Sequence, residues 1–179
     1  KSGRACWLGK LNLILTTGFT RTTTRELALW DPRKMDKRIH TTKLDNPSTS
    51  TPLVLFDEDT SVAFICGKGD SSILPYEVQD GTLTELTTFK SKEPQTALGM
   101  LPKSVCDVDS CEIARFFKLT PSGQVIPLNF CVPRRHVGDF FQDDIYPPTW
   151  DCKPTMSSAE FWSGANAEPN YVSMDPADK

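Results

Sequence analysis

The chain has 179 residues, of which 24% are charged, and a net charge of −3. This composition is typical of a soluble globular protein with one domain, or with one domain and a second small one. No stretch approaches eighteen consecutive apolar residues, which excludes a transmembrane helix. Fourteen prolines and few helix-forming runs favour β-structure with many turns and exclude a coiled coil. The chain starts with Lys rather than Met and has no apolar leader, so we expect a chain that begins partway along a longer protein, without a signal peptide.

Positive charge is concentrated at the start of the chain. Residues 1–44 carry ten Lys and Arg against three Asp and Glu, a net charge of +7. Residues 45–133 and 134–179 have net charges of −6 and −4. A basic surface suits an acidic partner such as an actin filament, a nucleic acid or an anionic lipid, but it is also found on ordinary solvated faces.

The six cysteines contain no CxxC pair, and both histidines lie far from any cysteine pair in sequence. Zinc sites usually need two closely spaced pairs, so we expect no metal and no cofactor. Several cysteines lie in apolar segments, as Cys66 and Cys131 do, where a free thiol behaves as a small hydrophobic group. We therefore expect reduced, buried cysteines, as in a cytosolic protein.

A pattern of a little over forty residues repeats along most of the chain. Three short apolar segments each carry an aromatic residue near their end, and aligning Trp30, Tyr76 and Phe117 gives spacings of 46 and 41 residues. This period, together with the Leu-Trp-Asp sequence that ends at Asp31, is typical of WD-repeat β-propeller blades. No repeat has a Gly-His pair ahead of its aromatic strand, so the His-centred hydrogen-bond network of regular WD repeats is missing and the blades are predicted to be degenerate.

Turn-forming residues separate the predicted strands. Gly18 closes the apolar run of the first unit, and the segment from Gly67 to Asp70 predicts a glycine turn between two strands of the second unit. A nucleotide-binding loop is not expected at that turn, because the Gly-Lys-Ser/Thr ending is absent. Pro75 removes a ladder hydrogen bond and predicts a bulge or a local break in strand pairing.

The sequence thus predicts an all-β fold in which residues 1–133 form about three four-stranded blades, approximately at 1–45, 46–92 and 93–133. Propellers normally close with four or more blades, and three alone leave unpaired edges. We therefore expect the rest of a propeller, or another chain, to complete them.

Residues 134–179 show no further blade and are predicted to form an irregular C-terminal extension that packs on the propeller. Ser157, with Glu160 three residues later, forms a capping box that starts one short helix, and Gly164 fits its end. The aromatic residues of the extension need cover, which argues against disorder. They are Phe140, Phe141, Tyr146, Trp150, Phe161 and Trp162.

Several of these motifs resemble coronins, the WD-repeat actin-binding family. The most specific match lies in and just before the extension. The matching segments are 14–19, 27–33, 57–60, 67–70, 91–95, 111–116, 132–134, 141–147 and 159–164.

The resemblance implies a seven-bladed propeller of which this chain supplies roughly the last three blades and the extension. It also implies binding to F-actin and actin-regulatory proteins, control of branched-actin assembly and turnover, and a cytoplasmic location at the actin cortex. Coronins are not enzymes. Residues 4–9 weakly resemble the tandem-propeller coronins that are linked to Golgi trafficking. The alternative function is therefore a trafficking scaffold, with part of the protein associated with the Golgi.

The candidate partner-binding surface is the first long inter-strand loop. Its basic residues are Arg33, Lys34, Lys37 and Arg38. If charge drives binding, it will be sensitive to salt. The alternative is an ordinary solvated loop.

Other classes of function find little support in the sequence. Asp143 and Asp144 are adjacent, so on a strand they would point to opposite faces, a poor geometry for an acid and base pair. His136 and Asp139 have only Ser122 as a nearby nucleophile, and it lies in a turn. Basic residues are not interleaved with aromatic ones, so we expect no binding to nucleic acid. The absence of a long apolar stretch and of a catalytic arrangement leads us to expect no integral membrane contact and no enzymatic activity.

Overall fold

The computed structural model describes residues 2–44 and 50–178. It is built almost wholly of antiparallel strands, which confirms the all-β prediction. The chain divides into two compact units, one of residues 1–99 and 116–127 and the other of residues 100–115 and 128–179. The predicted limit between the first two blades, at residues 45 and 46, lies outside the described residues. No described helix is long and apolar enough to cross a membrane.

The first sheet contains four strands in chain order. They are β1 (Arg4–Leu8), β2 (Leu13–Phe19), β3 (Arg25–Trp30) and β4 (His40–Lys43). A single 3-10 turn, Gly9–Leu11, joins β1 to β2. Alternate residues point to opposite faces of a strand, and on β3 this places Leu27 and Leu29 in the core.

Gly18 does not end its strand, contrary to the sequence prediction. It lies within β2, paired with Glu26, and β2 continues to Phe19. A Cβ atom at Gly18 would meet no atom within 4 Å, so no close approach requires glycine there. The reversal comes later, in the turn from Thr20 to Thr24, where Thr20 N donates to Thr24 O at 2.8 Å.

The second sheet also has four strand positions. Its strands are β5 (Leu53–Asp57), β6 (Val62–Cys66), β7 (Ser72–Gln79), β8 (Thr82–Glu85) and β9 (Phe89–Lys90), and both β8 and β9 pair with β7. The outer position is therefore one strand in two pieces.

The interruption of that outer strand lies opposite Pro75, as predicted. Tyr76 pairs with Glu85, and Ile73 pairs with Phe89. Two residues of β7 thus face three residues of the outer strand, which is a β-bulge. Pro75 has no N–H to donate, but its carbonyl accepts a hydrogen bond from Leu86 N at 2.9 Å.

The third sheet has three strands in the described residues, instead of the predicted four. They are β10 (Ala97–Met100), β11 (Glu112–Leu119) and β12 (Val125–Cys131), in that order. A 3-10 turn, Lys103–Val105, lies in the connection from β10 to β11.

The sequence alignment of the third repeat was wrong by one strand. Phe117 lies on β11, the second strand of its sheet, whereas Trp30 and Tyr76 lie on third strands. The turns show the true equivalence: Thr120 N donates to Gln124 O at 2.9 Å, the same arrangement as at Thr20. Successive strands of a blade have similar apolar patterns, so periodicity alone did not distinguish them.

A buried ion pair joins the first two sheets. Arg25, at the start of β3, donates from Nη1 to Asp70 Oδ2 at 2.8 Å, and their side chains are 1% and 2% exposed. Asp70 ends the predicted glycine turn, in which Asp70 N donates to Gly67 O. A Cβ at Gly67 would clash with Ser50 Oγ and lie 2.8 Å from Asp70 Oδ2 and 2.9 Å from Arg25 Nη1, so a larger residue there would displace the buried ion pair.

The extension contains short elements only. They are β13 (Thr149–Trp150), α1 (Ser158–Trp162), β14 (Tyr171–Val172), which pairs with β13, and a last 3-10 turn at Pro176–Asp178. The predicted capping box forms, since Ser157 Oγ accepts from Glu160 N and the Glu160 side chain accepts from Ser157 N.

Most aromatic residues of the extension are not covered, contrary to expectation. Trp162 is 83% exposed, and Phe140, Trp150 and Phe161 are also exposed. Two of the six are covered. Tyr146 is buried and its hydroxyl donates to Glu112 O at 2.9 Å, and the half-buried Phe141 stacks on its ring at 5.6 Å. The strand pair and α1 carry the exposed aromatic residues and are held by pairing and capping hydrogen bonds.

No disulfide bond joins the cysteines, all six of which lie in the described residues, but not all of them are buried. Cys131 and Cys152 are exposed, which corrects the prediction for these two. Burial raises the pKa of the Cys66 thiol to about 12, so this thiol remains protonated at neutral pH.

We predict that Asp70→Ala lowers the free energy of unfolding by about 3–5 kcal/mol, because it leaves the Arg25 charge buried without a partner. Arg25 Nε and Nη2 already have no hydrogen-bond partner among the described residues. Replacing the pair together, as Arg25→Met with Asp70→Leu, should therefore recover most of the loss. Denaturant unfolding of the full-length protein measures both effects. Asp144→Ala, at an exposed ion pair with Arg134, is the control and should cost less than about 1 kcal/mol; an equal cost at Asp70 would contradict the prediction.

Candidate partner-binding loop

The loop that carries the four candidate cations runs from residue 31 to residue 39, between β3 and β4. It starts with a tight turn, because Asp31 O accepts a hydrogen bond from Lys34 N at 2.9 Å. Asp31 Oδ1 also accepts from Arg33 N at 2.9 Å, and Pro32 suits the second position of such a turn. The first part of the loop is therefore rigid.

Arg33 forms a two-point ion pair with Asp31. Its Nε lies 2.9 Å from Asp31 Oδ1 and its Nη2 lies 2.8 Å from Asp31 Oδ2. These hydrogen bonds, first those of the side chain and then that of the Arg33 backbone, lower the pKa of Asp31 to about 2. Arg33 is 75% exposed, yet its charge is already matched within the protein.

Arg38 is held at the other end of the loop. Its Nη1 donates to Glu26 Oε1 at 2.8 Å, and its guanidinium lies 5.3 Å from the centre of the Trp30 ring. A cation over the face of an indole is attracted to the ring. Trp30 is fixed in turn, since its Nε1 donates to Thr16 Oγ1 on β2 at 2.8 Å.

Lys34 and Lys37 differ from the two arginines. Within residues 2–44 and 50–178, neither lysine forms an ion pair. Both line a surface pocket of about 370 Å³. Its other lining residues are Asp31, Asp36, Arg38 and Ile39.

The sequence indicates the four cations, but it does not indicate the carboxylates that form ion pairs with two of them. Nothing near Glu26 in the sequence points to Arg38, because their contact depends on the path of the loop. Asp31 was selected only as part of the repeat pattern. The spacing Asp-Pro-Arg was an available signal, since an Asp two residues before an Arg favours an Asx turn with an ion pair.

The comparisons with known proteins agree with this architecture. Residues 125–169 match a family model described as a type of WD40 repeat. Coronin-2A of Mus musculus is 39% identical over 179 residues, which cover 98% of this chain and 34% of that protein. A crystal structure of the WD40 domain from Toxoplasma gondii coronin superposes with a TM-score of 0.90 at 34% identity, covering 98% of this chain and 46% of that one.

The antiparallel sheets and these matches define the class of protein as a WD-repeat β-propeller, as the sequence predicted. The chain belongs to the coronin family. It spans about a third of the length of the mouse relative and about half of the solved Toxoplasma chain.

We predict that the Asp31 carboxyl titrates with a midpoint near pH 2, and that Arg33→Gln raises this pKa toward the ordinary value of 3.8. Because the pKa is lowered, the ion pair is complete above that ordinary value and is lost as the pH falls through about 2. Carboxyl chemical shifts in an NMR titration measure the change. Arg38→Gln is the control and should leave the midpoint unchanged; midpoints near 3.8 with and without Arg33 would show that the ion pair does not form in solution.

Proposed function

We propose that this chain is part of a propeller that binds actin filaments and contributes to the control of branched-actin assembly and turnover at the cytoplasmic actin cortex. Membership of the coronin family supports the proposal, and so does the net charge of +7 in residues 1–44. The observation that carries it is the loop at residues 31–39, whose basic side chains are exposed on a rigid frame. Such a surface suits an acidic partner.

The proposal is of a protein-interaction module without catalysis. His136 and Asp139 form a pair at 3.2 Å in which both side chains are 66% exposed. Ser122 Oγ shares a hydrogen bond with Thr120 Oγ1 inside its turn. Neither arrangement resembles a nucleophile that a buried base activates.

We predict that replacing the four loop cations, Arg33, Lys34, Lys37 and Arg38, with Ala in the full-length protein weakens co-sedimentation with F-actin by about tenfold, since several exposed charges each contribute a few tenths of a kcal/mol to 1 kcal/mol. Wild-type binding should weaken between about 50 and 200 mM salt, and the variant should lose this dependence.

The matched control removes four exposed lysines elsewhere, Lys68, Lys90, Lys92 and Lys153. It changes the net charge equally and should bind like wild type. Unchanged binding of the four-site loop variant would remove this loop from the proposed function.

We also propose that the rest of a propeller, or another chain, completes the third sheet. This sheet ends at β12, whereas the first two sheets have a fourth strand position beyond their third strand. β12 alternates between exposed and half-buried residues, as an unfinished edge strand does. The limited coverage of the relatives' length is consistent with additional blades.

If the blades need completion, we expect the 179-residue chain alone to self-associate or to unfold without cooperativity, whereas the full-length protein unfolds cooperatively. Size-exclusion chromatography and thermal unfolding compare the two. A compact monomer of the isolated chain with a cooperative transition would contradict the expectation.

The alternative hypothesis is a tandem coronin that acts as a scaffold in Golgi trafficking, suggested by residues 4–9. Arg4–Leu8 forms β1 and pairs with β2 along its whole length, so this segment has a structural role that any blade needs. A full-length protein with two propellers would support the trafficking scaffold, and one propeller followed by a heptad segment would remove it.

A further inference from the structure

The four cations of the loop at residues 31–39 are not equivalent. We propose that Lys34 and Lys37 make the direct contacts with carboxylates on the filament surface. Asp31 and Glu26 act as internal counter-ions that withhold the two arginines of the loop from the partner. This inference rests on the proposed function and specifies which side chains perform it.

Arg33 contributes little binding energy to a partner while it is paired with Asp31. Its fork already contacts both oxygens of Asp31, so a carboxylate of the partner would have to replace an equivalent one. Such an exchange yields little net binding energy, because the bonds formed match the bonds broken. Asp31 also accepts the Arg33 N–H, which keeps this carboxylate in place.

Arg38 is constrained by two neighbours rather than one. Its guanidinium is 43% exposed, while the Glu26 side chain that it contacts is 15% exposed. If Arg38 moved toward a partner, Glu26 would remain largely buried without its counter-charge, and the contact with the Trp30 ring would be lost. Both effects oppose the use of Arg38 in binding.

Among the described residues, Lys34 and Lys37 are not held by an ion pair, although the charge of Asp31 also acts on Lys34 and Asp36 lines the same pocket. Each ammonium carries three donors on a flexible stem, and neither has an ion-pair partner in the described parts of the chain. Two apolar side chains, Met35 and Ile39, are exposed beside them by 49% and 46%. The chemistry that fits is an acidic protein surface whose carboxylates have an apolar side chain next to them.

The same geometry makes Asp31 a limit on affinity. Asn in its place keeps the size and an oxygen for the Arg33 N–H, but it removes the charge that matches the guanidinium. Arg33 would then be an uncompensated cation beside Lys34 and Lys37. Asp31→Asn should therefore strengthen binding to an acidic partner, whereas simple disruption of the loop would weaken it.

The test is F-actin co-sedimentation of the full-length protein at low salt. K34Q/K37Q should bind about five- to tenfold more weakly than wild type, whereas removing an arginine together with its own counter-ion, as in D31N/R33Q or E26Q/R38Q, should leave binding within about twofold of wild type. D31N should bind about two- to fourfold more tightly, and D31N/R33Q should cancel that gain. K68Q/K92Q controls for net charge, and thermal unfolding checks each variant.

Two outcomes would overturn the inference and leave the loop as the binding site. These are equal weakening by K34Q/K37Q and by the two ion-pair deletions, and unchanged or weaker binding of D31N. If E26Q/R38Q fails to fold, D31N/R33Q alone gives the comparison, because Arg33 is 75% exposed. Unchanged binding of all these variants would instead overturn the proposed function of the loop itself.

Discussion

The buried contact between Arg25 and Asp70 is the constraint that neither of the first two sheets can lose on one side alone, in addition to the apolar core that the two sheets share. Two opposite charges lie 2.8 Å apart with almost no exposure, so neither element can move away without leaving a charge unpaired in the interior. Regular WD repeats use a His-centred network, and this chain lacks its Gly-His pair. In this chain an ion pair, instead of a His-centred hydrogen-bond network, provides a buried polar connection between the first two blades. Gln95 holds the turn that carries Asp70, since its Nε2 donates to Gly67 O at 3.3 Å and to Ser72 O at 3.0 Å and its backbone N donates to Asp70 O at 2.8 Å.

The loop at residues 31–39 depends for its geometry on β3, the strand that carries Arg25 of this ion pair. β3 begins at Arg25 and ends at Trp30, and the loop starts one residue later. Glu26 and Trp30, both on β3, hold Arg38 at the far end of the loop. A buried contact at one end of β3 and an exposed pattern of charges at its other end therefore lie on the same strand.

The sequence predicted the features that depend on neighbouring residues. The glycine turn ending at Asp70, the bulge at Pro75 and the capping box at Ser157 each follow from a few adjacent side chains and their backbone preferences. It failed where several strands had to be compared. Phe117 was assigned to the wrong strand because β-strands of one blade share an apolar pattern, and the aromatic residues of the extension were expected to be covered because their surroundings are not encoded locally.

By itself, the sequence determined that the chain is all-β, that it is built of repeated blade-like units and that four of its basic residues lie in one loop. Hydrophobic spacing and charge are properties of short segments, so they can be interpreted without coordinates. Only the tertiary structure decided which of those basic residues are available. Asp31 and Glu26 match two cations, and Lys34 and Lys37 are left without ion-pair partners in the described residues. Glu26 and Arg38 are twelve residues apart in sequence, and only the folding of β3 and its loop brings them within 2.8 Å.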